Sequence, residues 1–102
     1  MSWLLEFRPE VEADVGEAAG WYESREPGLG RAFVEEIVET WESIATHPLI
    51  GARHHPSLDI RWRYPKRFPY RIIYQINHTT ESILVIAVLH AARHESRWQD
   101  RI

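Results

Sequence analysis

The chain reads as an α+β domain, with a helical hairpin packed on one face of a mainly antiparallel sheet of about four strands. Three observations predict it. Two stretches with apolar residues at helical spacing are separated only by Pro27-Gly28-Leu29-Gly30, which is the length of an αα turn. Two strand-like runs lie beyond them, Leu58 to Arg63 and Arg67 to Ile76, and the second alternates apolar and polar residues with period two. A last run, Ile83 to His90, is apolar without interruption, as expected of a strand covered on both faces. With 102 residues there is room for one core, so residues 1–102 form a single domain.

The elements follow in order. Trp3, Leu5 and Phe7 alternate with Leu4 and Glu6, which predicts a short N-terminal strand. Pro9 suits the first residue of a helix, and Val11, Val15, Ala18 or Ala19, and Tyr22 supply its apolar stripe. Glu10, Glu12, Asp14 and Glu17 sit where carboxylates meet the positive end of the helix dipole. The second helix has Phe33, Ile37, Trp41 and Ile44 as its stripe, widened by Val34 and Val38, with Glu35, Glu36, Glu39 and Glu42 outside and Pro48 as its stop. Residues 51–56, with His54 and His55, read as loop, and 77–82 as a hairpin turn into the last strand. The tail from Ala91 is expected to form one or two helical turns.

Pro69 has no N–H for a ladder, so regular pairing in the middle strand starts at Tyr70. Phe68, Tyr70, Ile72, Tyr74 and Ile76 then face the core and Arg71, Ile73 and Gln75 face away. Ile73 on that second face implies a partly covered surface from which Arg71 emerges. The helix-facing set is expected to add Ile60 and Trp62, which leaves Arg61 and Arg63 beside Arg71 on the other face. Trp41, Trp62 and Tyr74 are read as core residues.

The net charge of −3 conceals a division: residues 1–50 hold 11 Asp/Glu against 3 Arg, and residues 51–102 hold 4 Asp/Glu against 9 Lys/Arg. A basic half beside an acidic one points to an anion or a charged partner as ligand. Cysteine is absent, which excludes disulfides, thiolate metal sites and cysteine nucleophiles and suits a reducing compartment. Residues 1–9 contain neither a basic n-region nor a long apolar run, so a cytoplasmic protein without a membrane partner is expected. No carboxylate spacing accompanies the histidines, so neither a metal nor another cofactor is expected.

The order of elements, the block Phe68-Pro69-Tyr70-Arg71-Ile72-Ile73-Tyr74 and the ending Val88-Leu89-His90 with Arg93, Trp98 and Arg101 together resemble the RelE/ParE superfamily of toxins from type II toxin–antitoxin (plasmid stabilisation) modules. The resemblance spans essentially the whole chain. It implies a cognate antitoxin as partner, in a toxin–antitoxin hetero-oligomer, and one of two targets. ParE-like members poison DNA gyrase by contact; RelE-like members cut messenger RNA on the ribosome with basic residues and, in many, a tyrosine or histidine near the C-terminus. Arg61 and Arg63 match the RelE-like basic pair, Arg71 the arginine of the next strand, and Arg93 the arginine after the last strand. Trp98 stands near the RelE-like tyrosine and has no oxygen with which to exchange a proton, and the Phe-Pro-Tyr-Arg block is closer to the ParE side. The implied function is therefore gyrase inhibition, with a ribosome-dependent endoribonuclease as the alternative and a non-toxic binding module as a third reading.

The candidate target- or anion-binding residues are Arg61, Arg63, Arg67, Arg71, Arg93 and Arg97. RNA cleavage also needs proton transfers that an arginine, permanently protonated, supplies poorly. If the chain is an RNase, His90 and His94 are the candidate acid and base with Arg71 as charge stabiliser. The plainer alternatives are a His90 hydrogen-bonded at a strand end and an exposed His94. Acids such as Asp59, Glu95 and Asp100 offer surface ion pairs to some of the arginines, and the remainder are expected to be free for a partner.

Overall fold

The computed structural model of the chain describes residues 2–92 and 96–102. Strand β1 (Leu4–Phe7) leads through Pro9 into helix α1 (Glu10–Arg25), and α2 (Leu29–Thr46) follows after a three-residue turn. Strands β2 (Ile60–Arg63), β3 (Tyr70–Asn77) and β4 (Ser82–His90) come next, and α3 (Ser96–Gln99) closes the chain. Gly28 enters α2 with φ 89°, a left-handed conformation that favours glycine. The Glu23 carboxylate accepts the Gly28 and Gly30 N–H groups at 3.0–3.1 Å, so the first turn of α2 is capped from α1. Gly30 also lets the helices close, since a Cβ there would lie 2.6 Å from the Ala19 carbonyl oxygen.

The sheet has the order β1-β4-β3-β2. β3 pairs antiparallel with β4 and β2, and β1 runs parallel to β4, so the sheet is mixed but mainly antiparallel, as the sequence predicts. The hairpin between β3 and β4 turns on Asn77, whose Oδ1 accepts the Thr79 and Thr80 N–H groups. The register slips once: Ile73 pairs with Ala87 and Tyr74 with Val85, leaving Ile86 as an extra residue in β4. The bulge turns Ile86 and Ala87 to the same side, while Val85 and Val88 stay under the helices.

Two cores result. Under the helices lie Phe33, Ile37, Ile44, Ile72, Tyr74 and Val85 with their neighbours. On the other face, Ile60, Ile73, Ile86, Ala87 and Leu89 form a second cluster capped by Trp98 of α3, which is 1% exposed. Burying such side chains contributes about 1.5–3 kcal/mol each, so both faces stabilise the domain. No helix among the described residues is long and apolar enough to cross a membrane.

The second core corrects several expectations. Trp62 pairs with Ile73, and Ile60 and Trp62 belong to the second cluster rather than facing the helices. Arg61 and Arg63, paired with Tyr74 and Ile72, lie on the helix side, so they do not share a face with Arg71. The apolar floor under Trp98 decides the register, because it gains both Ile60 and the Trp62 ring. On α2, Val34 and Val38 are exposed instead of widening the stripe, and Glu36, expected outside, is buried.

Candidate functional site

Each candidate arginine in the described part of the chain occupies a different environment. Arg71 is 8% exposed, donates from Nη2 to the Ala91 carbonyl at 3.1 Å, and places Cζ 4.9 Å from the centre of the Trp62 ring. Its stem is packed and its guanidinium held, as the position beside Ile73 predicts. Arg61 donates through Nε to Asp59 at 2.8 Å and through Nη1 to the Leu49 and Gly51 carbonyls. With Tyr74, whose hydroxyl donates to the Pro48 and Ile50 carbonyls at 2.8 and 3.2 Å, it fixes the loop after α2. Arg63 donates to Ser43 Oγ at 2.8 Å. Arg67 is bound through its backbone N–H and its Nε to the Glu36 carboxylate, while Arg97 is exposed on α3. Arg93 and His94 lie outside the described residues.

Acids of the first half therefore meet bases of the second, and Arg61, Arg63 and Arg67 all take part in bonds within the chain. Asp14 of α1 makes the strongest such pairing. Its carboxylate, with the side chain 8% exposed, accepts from Arg101 Nη1 and Nη2 at 2.7 and 3.0 Å and from the Val88 N–H at 3.0 Å. Arg101 Nη1 also donates to the Ile86 carbonyl at 3.1 Å, so one latch satisfies both backbone groups exposed by the bulge. Hydrogen bonding to Asp14 is the main cause that raises the Arg101 pKa further. Asp14 is missed by local reading, because at the start of a helix an acid is expected on dipole grounds alone.

Glu36 is the clearest titrating group. Burial raises its pKa, but hydrogen bonds from the Arg67 side chain and backbone outweigh that and hold it below the ordinary 4.5. Asp59 is likewise lowered: desolvation opposes, and Arg61 and His78 (Nε2 at 2.7 Å) prevail. A carboxylate whose pKa is depressed on folding stabilises the fold above its unfolded value and ceases to do so as pH falls through its folded value. Urea unfolding of Glu36→Gln is therefore expected to show a deficit against the parent at pH 7 that narrows as pH drops below about 4.5. A deficit independent of pH would contradict the assignment.

The histidines are dispersed. His54 is exposed and stacks on Trp62 with ring centroids 3.4 Å apart, and His55 Nδ1 accepts the Ser57 and Leu58 N–H groups at 3.2 and 3.0 Å. His90 pairs with Tyr70, on the face opposite Arg71 and its partner Leu89. Its Nδ1 accepts the Ala92 N–H at 3.0 Å, which puts the ring proton on Nε2 and makes His90 a donor toward its surroundings. The structure therefore does not bring His90 and Arg71 together. Among the described residues no group of acids and histidines is placed to hold a metal ion.

His90 opens instead onto a groove of about 680 Å³ between α1 and the ends of β3 and β4, walled by Trp21, Tyr22 and Tyr70. Trp21, 52% exposed, falls off the apolar stripe of α1, which is the one sequence signal that marks this wall.

A family model described as the ParE toxin of the type II toxin–antitoxin system, parDE, matches residues 5–95. No curated protein matches the chain at a significant level. Among solved structures, the chain is similar to the chromosomal ParDE system of P. aeruginosa, with TM-score 0.71 and 17% identity over 87% of this chain and 96% of that one. It is similar to the isolated E. coli RelE toxin, with TM-score 0.65 and 20% identity over 97% of this chain and 95% of that one. The archaeal RelE–RelB complex from Pyrococcus horikoshii OT3 gives TM-score 0.65 and 16% identity over 92% and 100%. At such identities the structures establish the RelE/ParE fold, and the family match over most of its length establishes the rest: the chain belongs to the ParE toxin family of type II toxin–antitoxin systems.

Proposed function

We propose that this toxin acts in the cytoplasm by protein contact, with DNA gyrase as its target, and that a cognate antitoxin neutralises it by forming a hetero-oligomer with it. The observation that carries the reading is the environment of Arg71. Among the described residues, those beside this held guanidinium include Trp62 and, beyond it, the buried Trp98, with ring centroids 6.0 Å apart. His90 is on the other face and presents a fixed N–H. Cleaving RNA requires a base for the 2′-hydroxyl and an acid for the leaving oxygen close to the stabilised phosphate. Arg71, held against Trp62, is proposed to shape a protein-contact surface, since a preorganised side chain loses little entropy on binding. Arg93 and Arg97 are proposed to add charge to the contact, while the internal bonds of Arg61, Arg63 and Arg67 favour a supporting role.

The test is gyrase supercoiling in the presence of the purified toxin and its Arg71 variants. Arg71→Lys keeps the charge but loses the planar fork, and is expected to weaken inhibition about tenfold or more with little change in melting temperature. Arg97→Lys is expected to be nearly silent. Full inhibition by Arg71→Lys, or loss only in proportion to unfolding, would remove Arg71 from the contact surface.

A further inference from the structure

The loop between α2 and β2 is exposed and apolar where it begins, yet it is tied to the sheet. Residues 49–54 are all exposed, starting with Leu49 and Ile50 at 54% and 57%. A surface loop is ordinarily polar and mobile, whereas this one is held from beneath by two side chains of the sheet. The hydroxyl of the buried Tyr74 donates to the Pro48 and Ile50 carbonyls, and Arg61 Nη1 donates to those of Leu49 and Gly51. Every carbonyl from residue 48 to residue 51 is thus fixed. Asp59 in turn holds Arg61 through Nε, and Gly51 makes the turn at φ 97°, a conformation that favours glycine. With their carbonyls bound to Tyr74 and Arg61, Leu49 and Ile50 keep their side chains in water.

The far end of the loop joins the surface around Arg71. The His54 N–H bonds the Ile60 carbonyl at 2.8 Å, and the exposed His54 ring lies flat on Trp62, at an interplanar angle of 1°. Trp62 is also the ring against which the Arg71 guanidinium rests, so His54 continues that surface into the loop. The charge of the region is one-sided: residues 47–66 hold four Lys/Arg against the single Asp59. Arg53, its side chain 52% exposed, lies 3.7 Å from an Asp59 carboxylate that already serves Arg61 and His78.

We propose that residues 49–54 form part of the surface with which the toxin grips its target protein, Leu49 and Ile50 entering an apolar recess and Arg53 meeting a carboxylate at its rim. A loop fixed before binding loses little further freedom on docking, so two apolar side chains displayed on it contribute more of their burial to affinity. Continuity with Arg71 through His54 and Trp62 selects the target as occupant over the antitoxin. A second copy is disfavoured, because a two-fold contact would set the basic loop against itself. This inference rests on the gyrase reading above.

The test compares the full-length toxin with its variants in gyrase supercoiling, in binding to the cognate antitoxin and in gel filtration. The double variant Leu49→Ser, Ile50→Ser is expected to need at least about tenfold more protein for half-inhibition, while antitoxin affinity stays within about twofold. Its melting temperature should match that of the parent, since both side chains are exposed. Arg53→Glu is expected to weaken inhibition about tenfold, and Arg31→Glu, an equal reversal of charge on α2, to stay within about twofold. Undiminished inhibition by the double variant overturns the loop contact and leaves the proposed function standing. Full inhibition with loss of antitoxin binding gives the loop to the antitoxin and overturns it equally, as does a parent dimer that the double variant dissociates without losing inhibition. A parent that leaves supercoiling untouched overturns the gyrase reading, and this inference with it.

Discussion

Asp14→Ala is expected to lower the unfolding free energy by about 3–5 kcal/mol, the usual cost of removing one member of a buried ion pair. The loss is large because three donors depend on this carboxylate: two from Arg101 and the Val88 N–H. Once it is gone, a guanidinium only 13% exposed is left without its counter-charge and the bulge N–H without an acceptor. In a domain of this size, 1 kcal/mol corresponds to about 4–8 °C, so the melting temperature is expected to fall by at least about 12 °C. Asp14→Asn recovers part of the loss by still accepting the Val88 N–H. A fall of no more than about 4 °C for Asp14→Ala would mean that the latch is an ordinary surface pair.

Trp98→Ala is expected to cost about as much, roughly 3–5 kcal/mol, because it uncovers the second core. The ring is 1% exposed against Ile60, Ile73, Ile86, Ala87 and Leu89, and it is the element of α3 that seals that face. Its indole N–H is buried with no hydrogen-bond partner among the described residues, so Trp98→Phe gives up no bond there and is expected to cost under about 1.5 kcal/mol. Equilibrium denaturation of the two variants checks the contrast. Similar losses for both would show that the indole nitrogen matters more than the buried ring. Under the contact reading, Trp98→Phe also keeps its effect on gyrase, since no proton passes through this position.

The β3 strand was legible because Tyr70, Ile72, Tyr74 and Ile76 recur with period two over its eight residues and leave one assignment of faces, and Arg71 shares the second face with Ile73 as that assignment requires. The short β2 was different. Ile60-Arg61-Trp62-Arg63 alternates equally well with either face inward, and the choice falls to Trp98, more than thirty residues away in the chain, which completes the core that Ile60 and Trp62 join. Position alone suggested that Glu36 was solvated, because nothing on α2 announces that the backbone of Arg67 arrives there. Asp14 and Arg101 are 87 residues apart, and no periodicity relates a helix acid to the penultimate residue. Aspects that depend on local period were readable; those fixed by the register of a bulge or by a contact between chain ends were not. For the candidate site this meant that the packed, held position of Arg71 was readable from its strand, whereas the groove between α1 and the end of β4 was not.

The proposed action on gyrase and the alternative of RNA cleavage differ in what the toxin leaves intact. The most direct measurement is a side-by-side assay of the purified toxin, released from its antitoxin, on relaxed plasmid with gyrase and on messenger RNA in translating ribosomes. Loss of supercoiling that antitoxin restores, with messages left intact, is the predicted result. Cleaved messages with supercoiling unaffected would contradict it.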